Sequence, residues 1–278
     1  SQARCQGFES HRPLPIDQGN SLFSETLWDA CCEERGDLMS DSAATKSFSK
    51  ELFTQYPNLN PTRSLYMDLE GSGGRRTEDG SSSGTEYLMT ICWPQRGQAN
   101  RYQRIKRPSR DIEMNAKQLT DALDSINVIP ANIKHIIVFS GGKEEPDEKC
   151  RIENIFGEEI FRNCEWVNLH AVLRRSLEMK EVIRRDKWVW YCKDRSRVRY
   201  SLEALEHEFG VHRSRDIRAH SNCYSDHFPG TVHALKLAGE WVNGTSSDQG
   251  TDLLMRYTRQ DVEGMFKIVK KCHHLMSE

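Results

Sequence analysis

RSLYMDLE, residues 63–70, decides how the rest of the chain is read. Leu65, Tyr66, Met67 and Leu69 make an apolar run of strand length, and Asp68 and Glu70 stand two apart within it. Residues i and i+2 of a strand share a face. Both carboxylates therefore point the same way, where they repel each other unless they face water or hold a cation. Oxygen donors of this kind suit Mg²⁺ or Mn²⁺, which makes Asp68 and Glu70 the first candidate site. An edge strand with two solvated acids is the plainer reading.

Outward from this run the pattern is that of a sheet with helices around it. The Gly/Ser-rich stretch GSGGRRTEDGSSSG reads as a loop. EYLMTICW (86–93) and RYQRIKR (101–107) then read as a second and third strand, with IKHIIVFSGG (133–142) and CEWVNL (164–169) as a fourth and fifth. Helical spacing covers TKSFSKELFTQY, DIEMNAKQLTDALDSI (111–126), HAVLRRSLEMKEVI, LEALEHEFG (202–210), TVHALKLAGEWV (231–242) and the amphipathic stretch from Asp252 to Met276. Strands linked as hairpins, followed by alternating helices and strands, predict an α/β fold on a mixed five-stranded sheet. We expect residues 1–62 to be an N-terminal arm with a helical extension, 63–243 the main domain, and 244–278 a C-terminal amphipathic helix packed on it.

Composition narrows the function classes. With 39 Lys and Arg against 41 Asp and Glu among 278 residues, the formal charge is −2, so the chain is no polycation. Mean hydropathy is −0.71, no apolar run reaches the roughly 20 residues of a membrane helix, and the segment SQARCQGFES has no apolar stretch of the secretory kind. A soluble protein with no membrane partner is expected. Nine cysteines, an odd number without a CxxC pair, fit free thiols in a reducing compartment, hence the cytoplasm and/or the nucleus.

Two further patterns carry chemistry. In HSNCYSDHFPGTVH, Cys223, His227 and His233 follow at intervals of four and six residues, a set of nitrogen and sulfur donors suited to structural zinc. His220 or a distant acid would complete four ligands. A lone thiol among loop histidines is the alternative. The second pattern is basic. RYQRIKRPSR holds five Arg or Lys in ten residues, and Leu173 to Arg218 carries 13 Lys or Arg against 8 Asp or Glu. There, Trp188, Trp190, Tyr191 and Tyr200 interleave with cations. Cations that neutralise phosphates beside aromatics that stack on bases suit single strands. Arg104, Lys106, Arg107, Lys193, Arg195, Arg197 and Arg199 are the candidate RNA contacts, with a solvated basic face as the rival reading.

The run LYMDLEGSGG, then EYLMTICWP, and the strand order above resemble the ribonuclease H-like 3′–5′ exonucleases of the DEDD superfamily, over roughly residues 63–243. The resemblance implies a ribonuclease H-like sheet, Asp68 and Glu70 as metal-binding acids, and water activated by Mg²⁺ or Mn²⁺ against a phosphodiester. When TVHALKLA is laid on the family's last motif, His233 falls on the final Asp and Phe228 or Pro229 on the preceding His or Tyr. The middle Asp would come from Glu144, Glu145 or Asp147. Asp147 and Asp226 are the expected further catalytic acids. The His/Cys cluster looks like that of the Maelstrom-type domain, a ribonuclease H-like fold with a Glu-Cys-His-Cys zinc site. That likeness implies Glu86, Cys223, His227 and His233 as zinc ligands, His233 standing for the last Cys.

These features together lead us to expect an RNA-handling protein with a catalytically degenerate exonuclease fold, in RNA metabolism or a small-RNA pathway. An active metal-dependent 3′–5′ exoribonuclease is the first alternative. A protein-interaction scaffold within a ribonucleoprotein assembly is the second, with single-stranded RNA and proteins of that assembly as partners.

Overall fold

A computed structural model describes residues 42–71, 86–94, 100–106, 111–140, 147–185, 189–192, 195–198, 200–213, 217 and 231–278. All of them lie in one compact unit, Leu38–Glu278. The sheet runs β1 (Ser64–Gly71), β2 (Glu86–Trp93), β3 (Arg101–Lys106), β4 (His135–Val138) and β5 (Glu165–Asn168), in spatial order β3-β2-β1-β4-β5. β1 pairs antiparallel with β2 and β2 with β3, whereas β1–β4 and β4–β5 are parallel. This is the mixed five-stranded α/β sheet that the sequence predicts. β1 is its central strand.

The antiparallel half needs only loops. The parallel half needs crossovers, because a strand must return to its starting edge before it can run in the same direction. α2 (Ile112–Ser125) follows β3, and α3 (Asp147–Phe156) lies between β4 and β5. Asp111 opens α2 by accepting the amides of Glu113 and Met114 through its side chain. α3 has no counterpart in the sequence reading, since DEKCRIENIF is short and mostly polar and shows little apolar periodicity.

Alternation along β1 divides the protein into two cores. Leu65, Met67 and Leu69 face one side, where they join Met89, Ile91, Ile136 and Val138 under α2 and α3. Tyr66 faces the other side with Cys92, Ile137 and Val167, and so do Asp68 and Glu70 by the same alternation. The helices covering this second face are α1 (Ala43–Gln55), α4 (Leu169–Arg175), α5 (Leu177–Arg185), α6 (Leu202–Glu208) and α8 (Asp248–Leu275). α7 (Thr231–Val242) closes its end by laying Leu237 and Ala238 on Leu88 of β2. A two-stranded ribbon of β6 (Val189–Cys192) and β7 (Arg195–Val198) stands apart from the main sheet.

The helical stretch HAVLRRSLEMKEVI is broken into α4 and α5 at Ser176, whose extended backbone ends the first helix. α1 begins at Ser42, whose hydroxyl accepts the Thr45 amide at 3.1 Å. It packs on α5 and α8 with Phe48 and Leu52 fully buried. The longest helix, α8, runs across β1 and sets Phe266 edge-on against Tyr66 at 5.6 Å between ring centres. No described helix is long and apolar enough to cross a membrane.

Phe48 meets Phe209 of the α6 end edge-on at 5.5 Å. Phe48→Ala removes this contact from a closed core, and we expect a loss of about 3–5 kcal/mol in urea unfolding. A loss below about 1 kcal/mol would mean that α1 is not part of the cooperative core.

Candidate functional site

Asp68 and Glu70 sit on the α8 side of the central strand, opposite Thr90 and Leu88 of β2. α8 brings a third acid to them. Asp261 lies on the buried stripe of α8 with Leu254, Thr258, Met265, Ile268 and Cys272. One ligand oxygen each from Asp68, Glu70 and Asp261 lie within 4.8 Å of one another. Glu70 and Asp261 are buried at 8% and 6% exposure, and Asp68 is partly buried.

Burial raises the proton affinity of all three carboxylates, and the neighbouring acids add to it at Asp68 and Glu70. Burial pushes Asp68 up from 3.8 to about 7, with the Asp261 charge adding and Arg151 and Arg213 opposing. Burial, then Asp68 and Asp261, hold Glu70 well above the ordinary carboxylate range. Asp261 is also raised by burial, against the pull of Arg213 and a hydrogen bond from Tyr257. Asp68 Oδ2 is buried without a hydrogen-bond partner among the described residues. An acceptor oxygen left bare beside two further carboxylates fits a hard cation such as Mg²⁺ or Mn²⁺, whose ligands are oxygens.

A guanidinium enters the same cluster. Arg213, 3% exposed at its side chain, donates from Nη2 to Asp261 Oδ1 at 2.5 Å and from Nε to Glu206 Oε2. Its Cζ lies 5.9 Å from the centre of the Tyr257 ring. The chain can present Arg213 here because α6 ends at once in a left-handed Gly210, with φ +63°. The Gly210 and Val211 amides donate to the His207 and Glu206 carbonyls, and Lys271 Nζ of α8 donates to the Phe209 carbonyl at 2.7 Å. The reversal brings residue 213 back beside residue 206.

Glu206 fits only because α8 has a glycine opposite. A Cβ at Gly264 would lie 1.7 Å from Glu206 Oε1. Burial pushes Glu206 up to about 7 while Arg213 pulls it down.

Of the residues singled out from sequence, Asp68 and Glu70 come together at this site and Asp261 joins them unanticipated. Asp147 starts α3, but its side chain is outside what is described, as are those of Glu86, Lys106, Arg195, Arg197 and His233. Arg107, Lys193, Arg199, His220, Cys223, Asp226 and His227 lie outside the described residues altogether. Arg104 works inside the fold: its Nη2 donates to the Met255 carbonyl at 2.9 Å and ties β3 to α8. The helix laid on the family's last motif, α7, supplies none of the three acids. The signal that could have found Asp261 is an acid inside the apolar stripe of α8, where a carboxylate needs a reason to be buried. No family model, curated protein or solved structure matches the chain.

Two outcomes follow from this geometry. Raised carboxyls keep protons in the folded protein that the unfolded chain has released, so stability falls as pH rises between about 4 and about 7 for Asp68. The metal-free protein should therefore melt at a lower temperature at pH 8 than at pH 5, and Mn²⁺ should raise the melting temperature at pH 8 far more than at pH 5. Equal melting temperatures would mean that the carboxyls are not strained. Separately, Gly264→Ala should cost about 3 kcal/mol in denaturant unfolding, as for a broken buried ion pair, although alanine favours helix by about 1 kcal/mol. A stabilised variant would show that Glu206 does not need that space.

Proposed function

We propose that this protein handles single-stranded RNA through a ribonuclease H-like domain of the exonuclease type, and that it cleaves phosphodiester bonds from the 3′ end using Mg²⁺ or Mn²⁺ held by Asp68, Glu70 and Asp261. The observation that carries this reading is the arrival of Asp261 within 4.8 Å of the strand acids. The sequence alone suggests a degenerate centre, because His233 stands where the last Asp is sought. With Asp261 as that acid, the objection falls away. Tyr257 then lies four residues before it, the spacing of the Tyr and Asp in the exonuclease family's last motif. The strand order β3-β2-β1-β4-β5, with β2 antiparallel to β1, is in keeping with such a sheet.

The bound cation would supply Lewis acidity and a lowered pKa for water at the scissile phosphate. The chain's own groups do the positioning. β1 holds Asp68 and Glu70 on a rigid central strand, so their separation is set by the pleat. α8 fixes Asp261 against that strand, and Tyr257, one turn earlier, hydrogen-bonds its carboxylate. Arg151, at the α3 side, adds positive charge felt by both strand acids. The basic and aromatic stretches around residues 101–110 and 187–200 are the candidate tracks for the RNA strand.

A second reading keeps the RNA but drops the cleavage. What favours it is Arg213, which already pairs with Asp261. A centre neutralised in this way could bind a strand without cutting it.

The experiment is incubation of 5′-labelled single-stranded RNA with the protein in Mn²⁺, beside Asp68→Ala/Glu70→Ala and Asp261→Asn. We expect a ladder of shortening products from the native chain and none from either variant. Intact RNA that is still retained at low salt would favour the second reading. An Asp261→Asn protein as active as the native chain would remove the triad from the mechanism.

A further inference from the structure

Building on the reading of Asp68, Glu70 and Asp261 as a metal site, we infer that Arg213 stands in for a second cation, so that the site takes one divalent ion per chain and excludes another.

Two-metal phosphodiester centres place their ions about 3.5–4 Å apart and share carboxylates between them. To be shared between two ions, Asp261 would have to present its carboxylate oxygens to both. Its Oδ1 is instead 2.5 Å from Arg213 Nη2, and Tyr257 also bonds the carboxylate. A Mg²⁺ ligand distance is about 2.0–2.1 Å. An ion approaching Oδ1 would have to displace the guanidinium or rest against it. Repulsion between the two positive charges is strong where water is excluded.

Arg213 is not a chance surface contact. Its side chain is 3% exposed and is gripped by acids from two elements, Glu206 of α6 and Asp261 of α8. Glu206 itself is 1% exposed and occupies space that exists because residue 264 lacks a side chain. Gly210 turns the chain to deliver Arg213. The planar fork of arginine suits two carboxylates at once, and the group stays charged at any working pH. Asp68 Oδ2 has no hydrogen-bond partner among the described residues, and one oxygen each of Asp68, Glu70 and Asp261 lie within 4.8 Å of one another, which suits a single ion.

The test is Mn²⁺ titration of the metal-free 278-residue chain at pH 8, with free Mn²⁺ read by electron paramagnetic resonance. We expect one tight equivalent, lost in Asp68→Ala/Glu70→Ala. Two tight equivalents in the native chain would overturn the inference and leave the proposed metal site standing. No tight equivalent would overturn both, and an equivalent that survives Asp68→Ala/Glu70→Ala would place the ion elsewhere and do the same. In Arg213→Gln a second equivalent should appear; a count that stays at one would remove Arg213 as the excluding group. If circular dichroism shows that variant unfolded, Arg213→Lys keeps the charge without the fork. One equivalent there supports exclusion by charge, and two overturn it.

Discussion

The structure turns on the burial of acids between β1 and α8. Ionised carboxylates leave water at a cost of several kcal/mol each, and the cost grows when they are neighbours. Asp68, Glu70 and Asp261 are brought together all the same. The protein offsets part of this with Arg213, which pairs with Asp261 and Glu206, and with the charge of Arg151, which acts on Asp68 and Glu70. The remaining strain is visible in carboxyls that hold their protons well above the usual range.

Much of the surrounding architecture serves this arrangement. α8 must lie close along β1, and it does so through Phe266 on Tyr66 and the stripe that includes Met265 and Ile268. α6 must end abruptly so that residue 213 turns back, which Gly210 permits and Lys271 secures from α8. Gly264 opens the helix surface for Glu206. Arg104 adds a tie from β3 to the Met255 carbonyl of the same helix. Residues scattered over some two hundred positions thus converge on one face of one strand.

The sheet was largely legible beforehand because its signals are local. The segments at 64–71, 86–93, 101–106, 135–138 and 165–168 each carry apolar residues in a run or in alternation over a strand's length. α3 was not, since its large apolar residues, Ile152, Ile155 and Phe156, crowd its second half and find their place by packing with α2. The site was half legible. Asp68 and Glu70 share a face by strand geometry alone, whereas Asp261 lies almost two hundred residues later in a helix that reads as an appendage. Arg104, a candidate phosphate contact by its neighbours, also donates to a backbone carbonyl within the protein, a tie that the basic pattern does not show.

By itself the sequence determined the α/β class, the strand segments, the shared face of Asp68 and Glu70 and the amphipathic character of the last helix. These depend on periodicities of two and 3.6 residues, which act over a few neighbours. Only the tertiary structure decided which acid completes the cluster, which arginine enters it, and why residue 264 carries no side chain. Those facts depend on how α6 and α8 pack across β1. Charge compensation in a buried site is a relation between distant residues: a local signal can mark Asp261 within its helix, but none pairs it with Asp68, Glu70 or Arg213.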